Sequence, residues 1–366
     1  MPRELEPAPQ LYPVASSARP AMRPWRGVSR FAAPCAVDLA RFGTTPLYAA
    51  IDLGTNNCRL LIAKPEGAGF RVVDSFSRIV RLGEGLSQTG ALGEGAMART
   101  LEALLLCRHK LDERGVARGR FVATEACRAA SNGAAFLAQI KAEVGLDFER
   151  LDRHSEALLA ASGCAALADP AAKSVVLFDI GGGSTELVWL DVAGAEGRSV
   201  GGRARAWASL PLGVVTLAER HGGQDVSPAL YEAMVAETQS AMAGFITEAG
   251  AAAREPGFHL LGTSGTVTTL GGLFLRLERY DRRRIDGLWM DNAAVDQVLS
   301  DLLAMNFEAR AANGCIGRER ADLVLAGCAI FEAIRRAFPA PRLRIGDRGL
   351  REGMLMEMMR QDGALA

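Results

Sequence analysis

One pattern of residues occurs twice in this chain. A mostly apolar run ends in an aspartate, a short turn of glycine with hydroxyl or amide residues follows, and a second apolar run comes next. The first copy occupies residues 47–63 and the second occupies residues 174–190. Each copy is typical of a β-hairpin with a polar tip. Two copies in one chain predict an internal duplication, in which two similar α/β domains each begin with a hairpin.

The length and the apolar spacing agree with this organisation. With 366 residues the chain is too long for a single ordinary core. We predict an N-terminal extension over residues 1–46, rich in proline and either disordered or loosely packed, a first domain over 47–171 and a second over 172–366. Beyond the hairpins, apolar periodicity predicts strands over 70–77 and 121–124, and helices over 97–111, 132–144, 228–248, 293–305 and 319–338.

The charge balance argues against several classes of partner. The 42 lysine and arginine residues equal the 42 aspartate and glutamate residues, so no net field attracts DNA or an acidic membrane. Any site for an anion must therefore be local. No apolar run is long enough to span a bilayer. The seven cysteines are scattered without a Cys-x-x-Cys pair, which favours reduced thiols in the cytoplasm over disulfides or structural zinc.

The two hairpin tips have the composition of phosphate-binding turns. Glycine lets backbone N–H groups approach an anion closely, and consecutive N–H groups in a tight turn form an anion-binding nest. The predicted phosphate-binding residues of the tips are Gly54, Thr55, Asn56, Asn57, Gly181, Gly182, Gly183, Ser184 and Thr185. Asp52 and Asp179 would repel a phosphate directly, so we expect them to hold a divalent cation or to orient water. The alternative is a pair of ordinary turns.

A third glycine-rich segment lies between an apolar run and a helical pattern. It consists of Gly262, Thr263, Ser264, Gly265 and Thr266. The N–H groups at the start of the following helix would face a phosphate or a nucleotide with a favourable dipole. The alternative interpretation is a generic loop between a strand and a helix.

These segments resemble the motifs of a known family. Residues 51–60 and 178–187 look like the two phosphate motifs of the exopolyphosphatase and guanosine pentaphosphate phosphatase family, and further matches follow in the family's order at 80–86, 123–129, 209–213, 262–266, 320–322 and 347–353. The resemblance extends from Tyr48 to the C-terminus. It implies two actin-like domains, of the superfamily that contains sugar kinases, chaperones and actin, with a cleft between them. Longer family members carry additional C-terminal helical domains, so this chain resembles the short form.

The resemblance also implies a catalytic base. The family places a glutamate in a Ser-Gly-Glu-Glu-Ala-like segment, and the matching residue here is Glu156, although His154 and Ser155 replace the family's glycine and first glutamate. A carboxylate in a partly desolvated cleft can take a proton from an attacking water. Without the resemblance, Glu156 would be interpreted as an exposed residue in the first turn of a helix capped by Ser155.

Arginines in the matched motifs are candidates to bind the substrate. Arg59, Arg81 and Arg128 can clamp a terminal phosphate, or can be ordinary surface residues. Residues 282–284 are three consecutive arginines, which would extend a basic track for a long polyanion or form a solvated loop. Asn57 stands where many relatives have serine and still donates to a phosphate oxygen. We interpret Glu125 as structural.

Together these features predict a phosphohydrolase. The resemblance implies release of terminal phosphate from inorganic polyphosphate or from guanosine pentaphosphate, with Mg²⁺ or Mn²⁺ as cofactor and a homodimer as the assembly. The sequence leaves the choice of substrate open. Two alternatives remain, namely a non-catalytic regulator that binds polyphosphate or a guanosine alarmone, and an ATP-dependent kinase of the same fold.

Overall fold

The computed structural model describes residues 28–29, 45–194 and 199–365. The predicted N-terminal extension therefore lies almost wholly outside the described residues. None of the helices in the described residues combines the length and the apolarity that a membrane span needs. Six of the seven cysteines are described, and all six are buried free thiols.

The first half of the chain forms one sheet with four helices. The sheet has the order β1-β5-β2-β3-β4, and β6 pairs with β5 beside β1. Its strands are β1 (Val28–Ser29), β2 (Tyr48–Leu53), β3 (Asn57–Glu66), β4 (Gly69–Ile79), β5 (Arg118–Ala123) and β6 (Glu149–Arg150). The helices are α1 (Leu86–Thr89), α2 (Glu94–Glu113), α3 (Glu125–Ala129) and α4 (Gly133–Val144).

Helix α5 (Arg153–Cys164) leads into a second sheet, whose strand order is β11-β12-β10-β7-β8-β9. Its strands are β7 (Ser174–Ile180), β8 (Thr185–Asp191), β9 (Ala204–Leu210), β10 (His259–Thr263), β11 (Trp289–Asp291) and β12 (Arg342–Ile345). The remaining helices are α6 (Val214–His221), α7 (Pro228–Ala241), α8 (Ala243–Ala249), α9 (Gly265–Phe274), α10 (Arg282–Ile285), α11 (Asn292–Ala304), α12 (Phe307–Ala312), α13 (Val324–Ala337) and α14 (Leu350–Gln361).

The two sheets repeat the same pairing. In the first, β2, β3 and β4 are antiparallel neighbours and β5 lies parallel to β2. In the second, β7, β8 and β9 are antiparallel neighbours and β10 lies parallel to β7. The internal duplication and the fold class of two actin-like α/β domains are thereby confirmed. Because β2, β5, β7 and β10 all end next to the predicted turns, the sheets place those turns at the cleft between the domains.

The core explains why the strands are apolar on both sides. All residues of β7 except Asp179 are buried, as expected for a strand with both faces covered. In the first sheet one face is covered by α14, whose Met354 and Leu355 are in one apolar cluster with Tyr48 and Leu61. Helix α14 follows the second sheet in the chain and nevertheless packs on the first.

Helices α5 and α14 pack in very close contact. A Cβ atom on Gly163 would lie 2.1 Å from the carbonyl oxygen of Gly349, and one on Gly353 would lie 2.0 Å from that of Leu159. Only glycine permits this approach without a shift of the backbone. The contact holds the first turn of α5 in place relative to both sheets.

Two predicted helices differ from the structure. The helix predicted over 228–248 is divided into α7 and α8 at Met242, whose backbone N–H turns back to the carbonyl oxygens of Thr238 and Ser240. The helix predicted over 319–338 begins only at Val324. The residues before it form a 3₁₀ turn at Arg318–Arg320, where the side chain of Arg320 also donates to the carbonyl oxygens of Ile316 and Cys315.

Candidate active site

The two hairpin tips meet between the domains. In the first tip the N–H of Gly54 donates to the carbonyl oxygen of Asn57 over 2.9 Å, and in the second the N–H of Gly181 donates to that of Ser184 over 2.9 Å. A Cβ atom on Gly183 would lie only 2.5 Å from Oγ1 of Thr55, so the tips are in contact. Beside them is a cavity of about 630 Å³.

Most of the predicted site residues line this cavity. They come from both hairpins, from α5 and from the loop before α9. The predicted residues that line it are Asp52, Gly54, Thr55, Asn56, Asn57, Arg59, Glu156, Asp179, Gly181, Gly182, Gly183, Ser184, Ser264, Gly265 and Thr266. The structure thus brings together four segments that are far apart in the sequence.

Three predicted residues outside the cavity lining are buried in the second domain. Thr185 donates its hydroxyl to the carbonyl oxygen of Leu212 over 2.7 Å. A Cβ atom on Gly262 would lie 2.4 Å from the ring of Phe178, so this glycine accommodates core packing. Thr263 donates to the carbonyl oxygen of Arg348. These contacts give all three residues a structural role, in which they stabilise the segments that form the cavity wall.

Two predicted arginines also lie outside the cavity lining, and both are paired with carboxylates. Arg81 donates to both carboxylate oxygens of Asp322 over 3.1 and 3.2 Å, across the two domains. Arg128 donates to Glu125 and to Glu156. A guanidinium engaged in this way has fewer N–H groups free for a phosphate. Neither arginine contacts the cavity directly in this structure.

Asp52 and Asp179 occupy equivalent positions next to the two tips. Burial raises the pKa of both carboxyl groups, and Arg59 opposes the shift in each. The pKa of Asp179 reaches about 6, since the charges of Asp52 and Glu352 add to the effect of burial. Two neighbouring carboxylates, one of which raises the pKa of the other, carry negative charge that a cation would neutralise.

The carboxylate pair suits a divalent cation of the Mg²⁺ type. Such an ion is bound by oxygen ligands, commonly one or two carboxylates with water and substrate phosphates completing the shell. Within the described ranges, no group of three or more histidine, cysteine, aspartate or glutamate residues is placed to hold a metal by itself. Asp52 and Asp179 are the residues that could supply two ligands to such an ion.

Glu156 lies in the first turn of α5, and its side chain faces the cavity. The cap of this helix is Asp152, whose carboxylate accepts the N–H of Ser155 over 2.9 Å, so the interpretation of Ser155 as the cap is wrong. Glu156 is also buried, with 8% of its surface exposed. Burial raises its pKa to about 7, Arg128 opposes the shift, and the charges of Asp52 and Asp179 add to it. The group can thus take up a proton near neutral pH.

Ser264 has a strained backbone at the cavity wall. Its φ angle is +95°, a region that side chains other than glycine rarely adopt. The Ser264 hydroxyl is buried and has no hydrogen-bond partner in the described part of the chain, and the same holds for Oδ1 of Asn56. Both groups line the cavity. Unsatisfied buried polar groups are costly, so a polar ligand in the cavity would stabilise them.

Sequence reasoning missed several cavity residues. Arg320 lines the cavity, and burial together with the charge of Arg59 lowers its pKa. Two arginines that repel each other across a cavity are an attractive site for an anion. Glu186 also lines the cavity, where burial and the neighbouring Glu156 and Asp179 raise its pKa well above its usual range. Both residues lie in matched motifs, which was the available signal.

The arginines at 282–284 do not extend the site. Arg282 donates to Glu352 over 2.8 Å, Arg283 has a side chain that is 93% exposed, and Arg284 is exposed. None of the three lines the cavity. Of the two interpretations, the structure favours the solvated segment, in which α10 carries the cluster.

Comparison with known proteins gives one consistent result. The model of the Ppx/GppA phosphatase family matches residues 61–362. The chain is 28% identical, over 334 residues, to the guanosine-5'-triphosphate,3'-diphosphate pyrophosphatase of Vibrio vulnificus (strain YJ016). The match covers 88% of this chain and 62% of that protein, so the chain spans about six tenths of the length of this relative.

Two solved structures match the chain along almost their whole length. A Ppx/GppA family member from Aquifex aeolicus is 28% identical, with a TM-score of 0.71 and coverage of 87% of this chain and 99% of that chain. An exopolyphosphatase from Cytophaga hutchinsonii ATCC 33406 is 25% identical, with a TM-score of 0.77 and coverage of 87% and 98%.

Proposed function

This chain belongs to the Ppx/GppA phosphatase family, and on that premise we propose that it hydrolyses the terminal phosphoanhydride bond of polyphosphate, of guanosine pentaphosphate, or of both. The observation that carries the proposal is the position of Glu156. It is a buried carboxyl group with a pKa of about 7, beside the two hairpin tips and facing their cavity. A base with this pKa is matched to proton transfer near neutral pH.

The hairpin tips would bind the terminal phosphate. The N–H groups of the second tip, with its three glycines, approach an anion without interference from side chains. Thr55, Asn56 and Asn57 of the first tip add polar side chains. Arg59 and Arg320 would offset the charge of the phosphate, and that charge would also relieve their mutual repulsion.

In the reaction, a water attacks the terminal phosphorus in line with the bridging oxygen, and the Glu156 carboxylate takes a proton from that water. The bond between the phosphorus and the bridging oxygen breaks, and the shortened chain leaves as an oxyanion. Asp52 and Asp179 would hold a Mg²⁺ or Mn²⁺ ion, and such an ion would offset negative charge on the phosphate oxygens. Ser264 and the first turn of α9 would contact the distal part of the substrate.

The names of the relatives support both substrates. The relative from Vibrio vulnificus is named for guanosine pentaphosphate, and the structure from Cytophaga hutchinsonii is named an exopolyphosphatase. The predicted homodimer stays a prediction.

The test is phosphate release by the purified protein with Mg²⁺, measured separately with long-chain polyphosphate and with guanosine pentaphosphate. We expect release by the wild type and a loss of at least about 100-fold in kcat for Glu156→Gln, with substrate binding retained. Glu332→Gln is the matched control, because Glu332 is 8% exposed like Glu156 but pairs with Arg335 and Arg336 away from the cavity.

Other outcomes would favour the alternatives. Binding of either substrate without any phosphate release by the wild type would contradict the hydrolase and favour a non-catalytic regulator. Consumption of ATP only when a sugar is added would favour a kinase.

A further inference from the structure

Four charged side chains link the helix of the base to the neighbouring helix α3. Arg153 donates to Glu125 over 3.0 Å, Arg128 donates to Glu125 over 2.8 Å, and Nη1 of Arg128 donates to Oε2 of Glu156 over 2.5 Å. Each helix contributes one arginine and one glutamate spaced three residues apart. The result is a row of alternating charges, Arg153–Glu125–Arg128–Glu156, which we call the charge row.

The inner members of the charge row are shielded from solvent. The side chains of Glu125, Arg128 and Glu156 are 9%, 12% and 10% exposed, whereas that of Arg153 is 47% exposed. Ion pairs in such surroundings are weakly screened by water and salt. The charge of each inner member therefore affects the electrostatic energy and the pKa of the next member.

Arg128 donates hydrogen bonds from all three of its guanidinium nitrogens. Its Nη1 donates to the carbonyl oxygen of Leu151 as well as to Glu156, while Nε and Nη2 donate to Glu125. These contacts occupy four of its five N–H groups, and Arg128 does not line the cavity. Arg128 thus affects the reaction through its ion pair with Glu156. That ion pair is weakened because Glu125 accepts hydrogen bonds from the same guanidinium.

We propose that Glu125 is a positioning residue that keeps Glu156 basic by sharing Arg128 with it, and that Arg153 limits this effect by partly neutralising Glu125. The inference rests on the proposed role of Glu156 as the general base. A lone Arg128–Glu156 pair would stabilise the carboxylate and weaken it as a base. Glu125 draws part of the arginine's charge away and contributes a negative charge of its own nearby.

The other charged groups that face Glu156 come from three strands. They are Asp52 of β2, Asp179 of β7 and Glu186 of β8, and all of them are acidic. Helix α14 packs against α5 and carries Arg351 and Glu352. Arg351 lowers the pKa of Asp52 and of Asp179, and Glu352 raises both. On α5 itself, His154 packs against Trp207 of β9, with the two rings tilted by 59° and their centroids 4.8 Å apart. Among the interactions that shift the pKa of Glu156, those with Arg128 lower it. The division of Arg128 between Glu156 and Glu125 can therefore adjust this pKa.

The experiment compares Glu125→Gln and Arg153→Gln with the wild type, using phosphate release with Mg²⁺ from pH 5 to pH 9. Glutamine keeps the shape of Glu125 and removes its charge, so the carboxylate of Glu156 becomes more stable. We expect the acid limb of the kcat profile to move to lower pH by about 0.5 to 1 unit, and the plateau kcat to fall about two- to fivefold with KM unchanged.

Arg153→Gln should act in the opposite direction. Without Arg153, Glu125 holds Arg128 more strongly, so the acid limb should move to higher pH, by about 0.3 unit because Arg153 is half exposed. Glu332→Gln is the matched control, since Glu332 is also buried and also pairs with an arginine three residues on, and it should leave the profile unchanged.

Opposite shifts would support the proposal, because loss of structure does not move two variants in opposite directions. Shifts in the same direction, an unchanged profile in Glu125→Gln, or a rise in KM alone would overturn it. Glu156→Gln distinguishes failure of the proposed general base from failure of the proposed role of Glu125. If that variant stays active, the proposed function fails and this inference fails with it. If it is inactive while Glu125→Gln behaves as wild type, only the role of Glu125 fails.

Discussion

The two hairpin tips have the same backbone and different side chains. In each tip the N–H of the leading glycine donates to the carbonyl oxygen three residues later over 2.9 Å. At the next two positions the first tip carries Thr55 and Asn56, whereas the second carries Gly182 and Gly183. The duplication has therefore preserved the turn and divided its chemistry between side chains on one tip and bare backbone on the other.

The contact between the tips explains this difference. A Cβ atom on Gly182 would lie 3.1 Å from the backbone nitrogen of Asn56, and one on Gly183 would lie 2.5 Å from Oγ1 of Thr55. Side chains on both tips would keep them apart. Packing between the domains thus requires glycine at both Gly182 and Gly183, in addition to any approach of a phosphate.

The largest expected effect is a loss of kcat when either of the two equivalent aspartates is replaced. Asp52 lies opposite Arg59 in its hairpin, whereas Asp179 lies opposite Glu186. We expect Asp52→Asn and Asp179→Asn each to reduce kcat by about 100-fold or more, because each removes a charge from the site. Phosphate release at saturating Mg²⁺ measures this. Full activity of either variant would contradict its place in the site.

The same aspartates should differ in their effect on stability. The pKa of Asp179 is about 6 in the folded protein and near 4 in the unfolded chain, so the folded state favours the protonated form. Its ionisation therefore lowers stability as the pH rises through 6. Without divalent ions, Asp179→Asn should be more stable than the wild type above pH 6, by on the order of 1 to 3 kcal/mol, and equal to it near pH 4. Melting temperatures against pH measure this. Asp52→Asn should gain less, because the charge of Asp52 raises the pKa of Asp179, whereas burial, Arg59, Arg351 and Glu352 act on both groups.

A smaller effect is expected from the tip glycines. Gly183→Ala should destabilise the protein by about 1 to 3 kcal/mol through the clash with Thr55. In a Thr55→Ala background the same change should cost much less, and a double-mutant cycle in urea measures the difference. Gly54→Ala is the control, since its Cβ would meet no atom closer than 3.5 Å. Equal costs in both backgrounds would mean that the tips do not constrain each other.

The smallest effect compares the loops that follow the central parallel strands, β5 and β10. Ser264 follows β10 with a φ angle of +95°, whereas Thr124 follows β5 with a φ angle of −109°. Ser264→Gly should therefore stabilise the free protein by about 1 kcal/mol, and Thr124→Gly should destabilise it by a similar amount. Thermal unfolding without ligand measures both changes, and a gain from both would remove the evidence for strain at Ser264.

Local patterns predicted the hairpins, the duplication and the cavity residues of the two tips and of the loop before α9, because those features depend on residues close together in the chain. The engagement of Arg81 was not predictable in this way, since its partner Asp322 lies 241 residues away. For the same reason, the pattern did not reveal that Arg128 is shared between Glu125 and Glu156, or that Arg320 faces Arg59. Glu156 was recognised by its motif, whereas its burial and its cap at Asp152 required the packed helix.

The position of α14 has a consequence for synthesis of the protein. This helix covers an apolar face of the first sheet, and at its end Asp362 accepts the hydroxyl of Tyr48, 314 residues earlier. On the ribosome, the strands of the first sheet emerge long before the helix that covers them. Their apolar face stays exposed in the nascent chain until residues 350–361 have been translated, which is the situation in which chaperones are needed. The first sheet to be made is the last to be completed.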